Sequence, residues 1–425
     1  MKKLTYFFLL LFSMFLNAQQ EIYGDNSTIV FTPEILLGKT LPSNFGFPET
    51  KLHKQLLFNI SKKHKNTPRE WAQRLKGLHT GVSLGLTDFG QLDSLGIALS
   101  LIPNVEFNAF KSKRFKILTG LGASYFTKKY DPITNPNNRA VSTDITWAFR
   151  FLLKYELLTT KNVDWNLGIG LSHHSNGHTK LDNRGYNAIV GSISGAINNP
   201  LNKNKQHTLD KGPQNKQTIP LYQNSRYAYL EIRAGHGWNV LAEAFNNTKA
   251  VYTISGEYGY VFNNVFKLGV GAHYRFYQHY YDYINNNESL VQDSREFEYL
   301  KQNPFKNATS LSLYLNTEIL LDHFGLDFSV GYNLYKEAYQ IDWRINEGWV
   351  NTPREIPEGW VLGEFNAKYN LKKSINTRLG IKYYLISNHK KPKHNAYTAV
   401  HLNSNLGQAD FTEITVGYTY SFSKQ

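Results

Sequence analysis

Residues 163–177 read VDWNLGIGLSHHSNG. Taken in twos, Trp165, Leu167, Ile169, Leu171, His173 and Ser175 share one face of a strand, and Asn166, Gly168, Gly170, Ser172 and His174 share the other. The apolar stripe therefore ends in a histidine and a serine that point the same way. Two strand steps span roughly 6.8 Å, within reach of an imidazole leaning along the strand. A base and a hydroxyl at the end of a greasy stripe predict chemistry on something apolar.

The same alternation recurs along the chain. Ile145, Trp147, Phe149, Phe151, Leu153, Tyr155 and Leu157 form one stripe, with Thr146, Arg150, Lys154 and Glu156 between them. Further stripes run over 95–107, 115–125, 230–238, 252–260, 266–276, 311–321, 326–334, 361–371, 379–385 and 414–422. Each has roughly the 9–13 residues a tilted strand needs to cross a bilayer. Residues 34–39 and 54–62 could add two more strands, and Thr67–Leu75 has the cap, proline and early acid of a short helix. The expected fold is all-β: a transmembrane antiparallel barrel of about 14–16 strands, of the outer-membrane type.

Composition agrees. Aromatic residues make up 14% of the 425, yet mean hydropathy is −0.43. Polar on average and rich in rings is what a membrane barrel requires, because only alternate residues face lipid. There is no cysteine, so disulfides play no part. Residues 1–18 read as a secretory signal, with Lys2 and Lys3, an apolar run from Leu4 to Leu16, and Asn17-Ala18 before the expected cut. Residues 19–80 form an N-terminal segment and 81–425 the barrel. The net charge of +14 sits largely in polar links such as 201–216 and 388–394. It suits solvated loops and attraction to anionic head groups, including the phosphates of lipopolysaccharide, rather than nucleic acid.

Link lengths give the orientation. Short links at 111–114, 159–162, 263–265, 322–325 and 372–376 belong in the periplasm, and long ones at 127–143, 176–186, 278–307 and 336–359 outside. His173 and Ser175 then lie at the outer leaflet. The polar stretch 198–226 breaks the rhythm: it is long, yet falls on the periplasmic side.

The run from about Phe115 to Gly195 resembles the outer-membrane lipid A 3-O-deacylases, the PagL type. His173, Ser175 and Asn176 match that family's His-x-Ser-Asn, and Asn183 and Gly185 an Asn-x-Gly before the next strand. The site region is thus 115–195. The resemblance implies Ser175 as nucleophile, His173 as its general base, and Asn176, Gly177 and nearby N–H groups as candidates for holding the oxyanion and substrate. Asn187 stands where the family has an acidic residue; an amide can orient the ring but carries no charge. Asp182, in the intervening loop, is an alternative source of charge. His174 points to the opposite face and His178 lies beyond the strand. Family members have eight strands, about half the number expected here.

The reading is an outer-membrane esterase that removes a 3-O-acyl chain from lipid A, with no metal and no cofactor. Its partners are lipid A in the outer leaflet and the membrane itself, with a homodimer left open. The alternative is a non-enzymatic porin or transport barrel, since a wide barrel would leave a water-filled lumen.

Overall fold

The computed structural model describes residues 28–44, 46–64, 67–110, 113–198, 221–347 and 364–422. The expected signal, 1–18, lies outside the described residues. The first eight strands are β1 Thr28–Leu41, β2 His53–Lys63, β3 His79–Asp88, β4 Ile97–Asn108, β5 Phe115–Phe126, β6 Ile145–Thr159, β7 Val163–Ser175 and β8 Tyr186–Asn198. The second eight are β9 Arg226–Asn239, β10 Lys249–Phe262, β11 Phe266–Tyr277, β12 Thr309–Leu321, β13 Phe324–Tyr335, β14 Ile375–Tyr384, β15 His394–Asn405 and β16 Gln408–Ser421.

The antiparallel outer-membrane class and the strand number stand, but the closure is different. β8 returns to pair with β1, from Leu41 opposite Asn187 to Val30 opposite Asn198. β16 pairs with β9. The sixteen strands thus form two closed barrels of eight, not one barrel over 81–425. The anomalous stretch after Asn198 is the connection between barrels, which is why it is long on a side of short turns.

Each barrel balances its own interior charge, a physical reason for separate closure. In the first, Arg150 pairs with Glu34, and Lys154 Nζ donates to Glu106 at 2.9 Å. In the second, Lys382 Nζ donates to Glu231 and Glu318 at 2.9 Å each, Lys267 to Glu231 at 2.7 Å, and Arg378 to Asp327 at 2.9 Å. Buried charges persist only when paired in this way. Eight-stranded closure leaves an interior that side chains fill. Among the described residues no wide lumen of the kind a single large barrel would enclose is formed.

Two local expectations also change. The stripe 361–371 is not a strand where described: Ala367–Ser374 is helical, because the Asn366 side chain accepts the Tyr369 N–H at 3.0 Å and caps the turn. Residues 361–363 lie outside the described residues. Near the N-terminus, helix α1 spans Glu70–Arg74, with Thr67 accepting the Arg69 N–H just ahead of it.

The barrels lie side by side. Lipid-facing side chains such as Ile169 and Ile193 are 63% and 57% exposed, whereas Val105 and Leu121, also outward by register, are 8% and 6% exposed. On the periplasmic side Trp71, Leu75 and Val105 pack with Val265 and Leu321 of the second barrel, and Arg69 bonds Asp322 at 3.0 Å.

Candidate functional site

The antiparallel ladder decides which side chains meet. β7 places His173 opposite Asn187 on β8 and opposite Phe149 on β6, and Ser175 opposite Trp147. All five belong to the outward set. The His173 ring Nδ1 lies 2.8 Å from Asn187 Oδ1. A carbonyl oxygen can only accept, so Nδ1 carries the proton and Nε2 keeps its lone pair. The ring is therefore held in the tautomer of a base.

Ser175 is one step further along the same face. It is 3% exposed, and its Oγ has no hydrogen-bond partner. A buried hydroxyl left unpaired is costly; the Oγ atoms of Ser61, Ser192 and Ser194 in the same barrel share that state, so the position of Ser175 beside His173 is what sets it apart. No hydrogen bond joins it to His173. Along the stripe below, Leu167, Ile169 and Leu171 are 41%, 63% and 52% exposed, a hydrocarbon-facing approach to the histidine.

The loop after Ser175 explains the rest of the motif. Asn176 N–H donates to Asn183 Oδ1 at 2.7 Å, which ties the two ends of the loop together. The Asn176 side chain donates to Lys180 O at 2.7 Å and Ser142 Oγ at 3.2 Å, and accepts the His178 N–H at 3.1 Å. Its donors are thus spent on bracing the loop. Gly185 has φ +75°, and a Cβ there would sit 2.8 Å from His173 Cε1, so glycine makes room for the ring. Gly177 is also left-handed, at φ +66°.

The other candidates separate from this group. His174 points inward, 1% exposed, with its ring 5.7 Å from Phe89 and 5.5 Å from Phe126. His178, left-handed at φ +67°, is buried beyond the end of the strand. Asp182 does not reach His173; Arg139 grips it through Nε at 2.5 Å and Nη2 at 2.8 Å. Arg139 also bonds Glu243 of the second barrel. Burial, together with the neighbouring Glu243 carboxylate, pushes Asp182 up to about 6 despite Arg139. Among the described residues no group of three or more His, Cys, Asp or Glu side chains could hold a metal ion.

One participant has no signal in the local sequence. Trp147 Nε1, beside Ser175, donates to Thr412 Oγ1 of β16 at 2.9 Å. Thr412 lies in the second barrel, 265 positions on, and nothing in the run 163–187 points to it.

Two family models match the chain. That of lipid A 3-O-deacylase (PagL) covers residues 43–195, and that of the acyloxyacyl hydrolase C-terminal domain covers 226–345. The first spans most of the first barrel and the second begins where β9 begins. No curated protein matches. Among solved structures, the outer-membrane enzyme PagL is 15% identical over 38% of this chain and 97% of its own, with a TM-score of 0.29. The NanC porin is 7% identical over 91% and 98% of the two chains, with a TM-score of 0.15. Pseudomonas putida OprB is 8% identical over 94% of each, with a TM-score of 0.16.

Proposed function

We propose that this chain, an outer-membrane hydrolase whose residues 43–195 match the lipid A 3-O-deacylase model and whose residues 226–345 match the acyloxyacyl hydrolase C-terminal domain, removes a 3-O-linked acyl chain from lipid A by a Ser175–His173 mechanism. The observation that carries the proposal is the Nδ1–Asn187 bond, which leaves the basic nitrogen of His173 free on the face where Ser175 carries an unpaired hydroxyl.

Ser175 Oγ attacks the ester carbonyl while His173 Nε2 takes its proton. The N–H of Gly177 is the candidate donor to the oxyanion, because Asn176 is already engaged. Collapse breaks the ester C–O bond, and His173 returns the proton to the departing 3-hydroxyl of the sugar. Water, activated by the same ring, then cleaves the acyl-enzyme and releases the fatty acid. The substrate enters laterally, its chains lying along Leu167, Ile169 and Leu171 and its ester at the head-group level. No metal or cofactor takes part.

Asn187 orients the ring without supplying charge. In Ser-His-Asp enzymes an Asp-to-Asn change costs about 10⁴ in kcat, largely because the amide selects the wrong tautomer. Here the amide oxygen faces Nδ1 and the tautomer is right, so only the missing charge is lost.

The test uses purified full-length protein in detergent with lipid A. Ser175→Ala and His173→Ala should both stop release of the 3-O-linked fatty acid while heat-modifiable gel migration stays intact. Undiminished release by Ser175→Ala would sink the mechanism.

A further inference from the structure

The loop behind Ser175 is held by the other barrel. Gly177 O accepts from Thr412 Oγ1 at 3.4 Å. His178 O accepts the Val240 N–H at 3.1 Å. Thr179 O accepts from Thr248 Oγ1 at 2.9 Å. Asn246 binds both main-chain groups of Leu181, accepting its N–H and donating to its C=O at 2.8 Å each, much as a neighbouring strand would. Four of the six residues from 177 to 182 thus bond through their main chain to the second barrel, and Asp182 joins them through Arg139 and Glu243.

Of these contacts, that of Thr412 falls nearest to Ser175 along the chain, at Gly177. Its hydroxyl accepts from the Trp147 indole and donates to Gly177, one chain linking β6, β16 and the residue two past Ser175. The contact is tight. A Cβ on Gly177 would fall 2.0 Å from Thr412 Oγ1, 3.0 Å from Leu402 Cδ1 and 3.1 Å from Trp147 Nε1. A side chain at 177 would have to displace Thr412 Oγ1, so the second barrel adds a steric reason for glycine to that of its left-handed φ.

We propose that the second barrel is a working part of the active site, with Thr412 as a positioning residue that fixes the Gly177 peptide and the Trp147 ring around Ser175. This rests on the Ser175–His173 reading above. Thr412 does not touch substrate. Its loss disturbs the geometry at the reacting carbonyl and leaves ground-state binding of lipid A largely unchanged.

The experiment measures fatty-acid release from lipid A by full-length wild type, Thr412→Val, Thr412→Ser, Trp147→Phe and the double variant Thr412→Val/Trp147→Phe. Thr412→Val keeps the shape and lacks the hydroxyl. It should lower kcat about tenfold or more with KM within about twofold. Thr412→Ser should restore kcat. Trp147→Phe should fall similarly, and the double variant should fall no further than the single ones, because both remove the same chain of bonds. A Thr412→Val enzyme with wild-type kcat, an equal loss in Thr412→Ser, or fully additive losses would each overturn the proposal. Ser175→Ala is run alongside. If it abolishes release while Thr412→Val does not, the esterase reading stands and only the role of Thr412 falls; if it retains release, the esterase reading itself falls.

Discussion

Each barrel carries a histidine near the outer end of a strand that rises from the periplasm, and the two have different surroundings. His173 on β7 and His236 on β9 both face outward, and each is followed two residues later by another outward side chain. In the first barrel that residue is Ser175 and the cross-strand partner is Asn187. In the second it is Trp238, and the cross-strand partner is Tyr252. The His236 ring lies 4.7 Å from Trp238 and 5.2 Å from Tyr252, a packed aromatic group of the kind that meets head groups. Strand position alone does not set the surroundings of a histidine. The residue across the ladder and the residue two steps on do.

The largest expected effect breaks this symmetry directly. His173→Ala or Ser175→Ala should lower kcat by about 10³-fold or more, as loss of a nucleophile or its base does in serine hydrolases. His236→Ala should leave kcat within about twofold. Fatty-acid release from lipid A reads both. A loss in His236→Ala comparable to that in His173→Ala would mean the second barrel holds chemistry of its own.

The contrast also shows how far the sequence carries. Alternation such as Ile145 to Leu157 makes the strands legible, because lipid on one side and ion pairs on the other leave few other patterns. Closure is a different matter. Hairpin rhythm encodes which strands are neighbours along the chain, whereas the pairing of β8 with β1 joins segments far apart. The one local sign was the misplaced polar link after Asn198. The helix Ala367–Ser374 hides in the sequence because Ala367, Tyr369 and Leu371 alternate as strand residues do; the Asn366 cap outweighs that pattern. At the site, the pairing of His173 with Asn187 follows from loop length. The contact of Trp147 with Thr412 does not, because the touching outer faces have the same apolar composition as faces that meet lipid.

A second test asks whether the barrels are separate in stability as they are in closure. Lys382 Nζ serves Glu231 and Glu318 at once, with no exposure to solvent. Lys382→Met leaves those carboxylates with less compensation and should cost about 3–5 kcal/mol. Limited proteolysis along a urea series should show the loss first in 226–421 and later in 28–198. Simultaneous loss would make the two barrels one cooperative unit. A smaller effect, of opposite sign, is expected at Asn187. Asn187→Asp is isosteric and places a carboxylate where Oδ1 now sits 2.8 Å from Nδ1. By stabilising the imidazolium it should raise kcat about tenfold; a fall would show a site adapted to the amide.

The smallest effect concerns the clamp between the barrels. Asp182 is pushed up to about 6, above the usual carboxylate range, by burial and by Glu243. The folded loop therefore holds a proton more tightly than the unfolded chain does. Between about pH 4 and pH 6 the folded state binds more protons, so stability from this group falls as pH rises through that window and is level above it. Protection of loop 176–185 from proteolysis should accordingly decline from pH 4 to pH 6. Asp182→Asn keeps the shape and cannot ionise, so its protection should stay flat over the same range. The second barrel has a stake in the outcome because Arg139 bridges Asp182 to Glu243. If wild type gains protection as pH rises, Arg139 outweighs burial at Asp182, and the clamp is an ordinary ion pair.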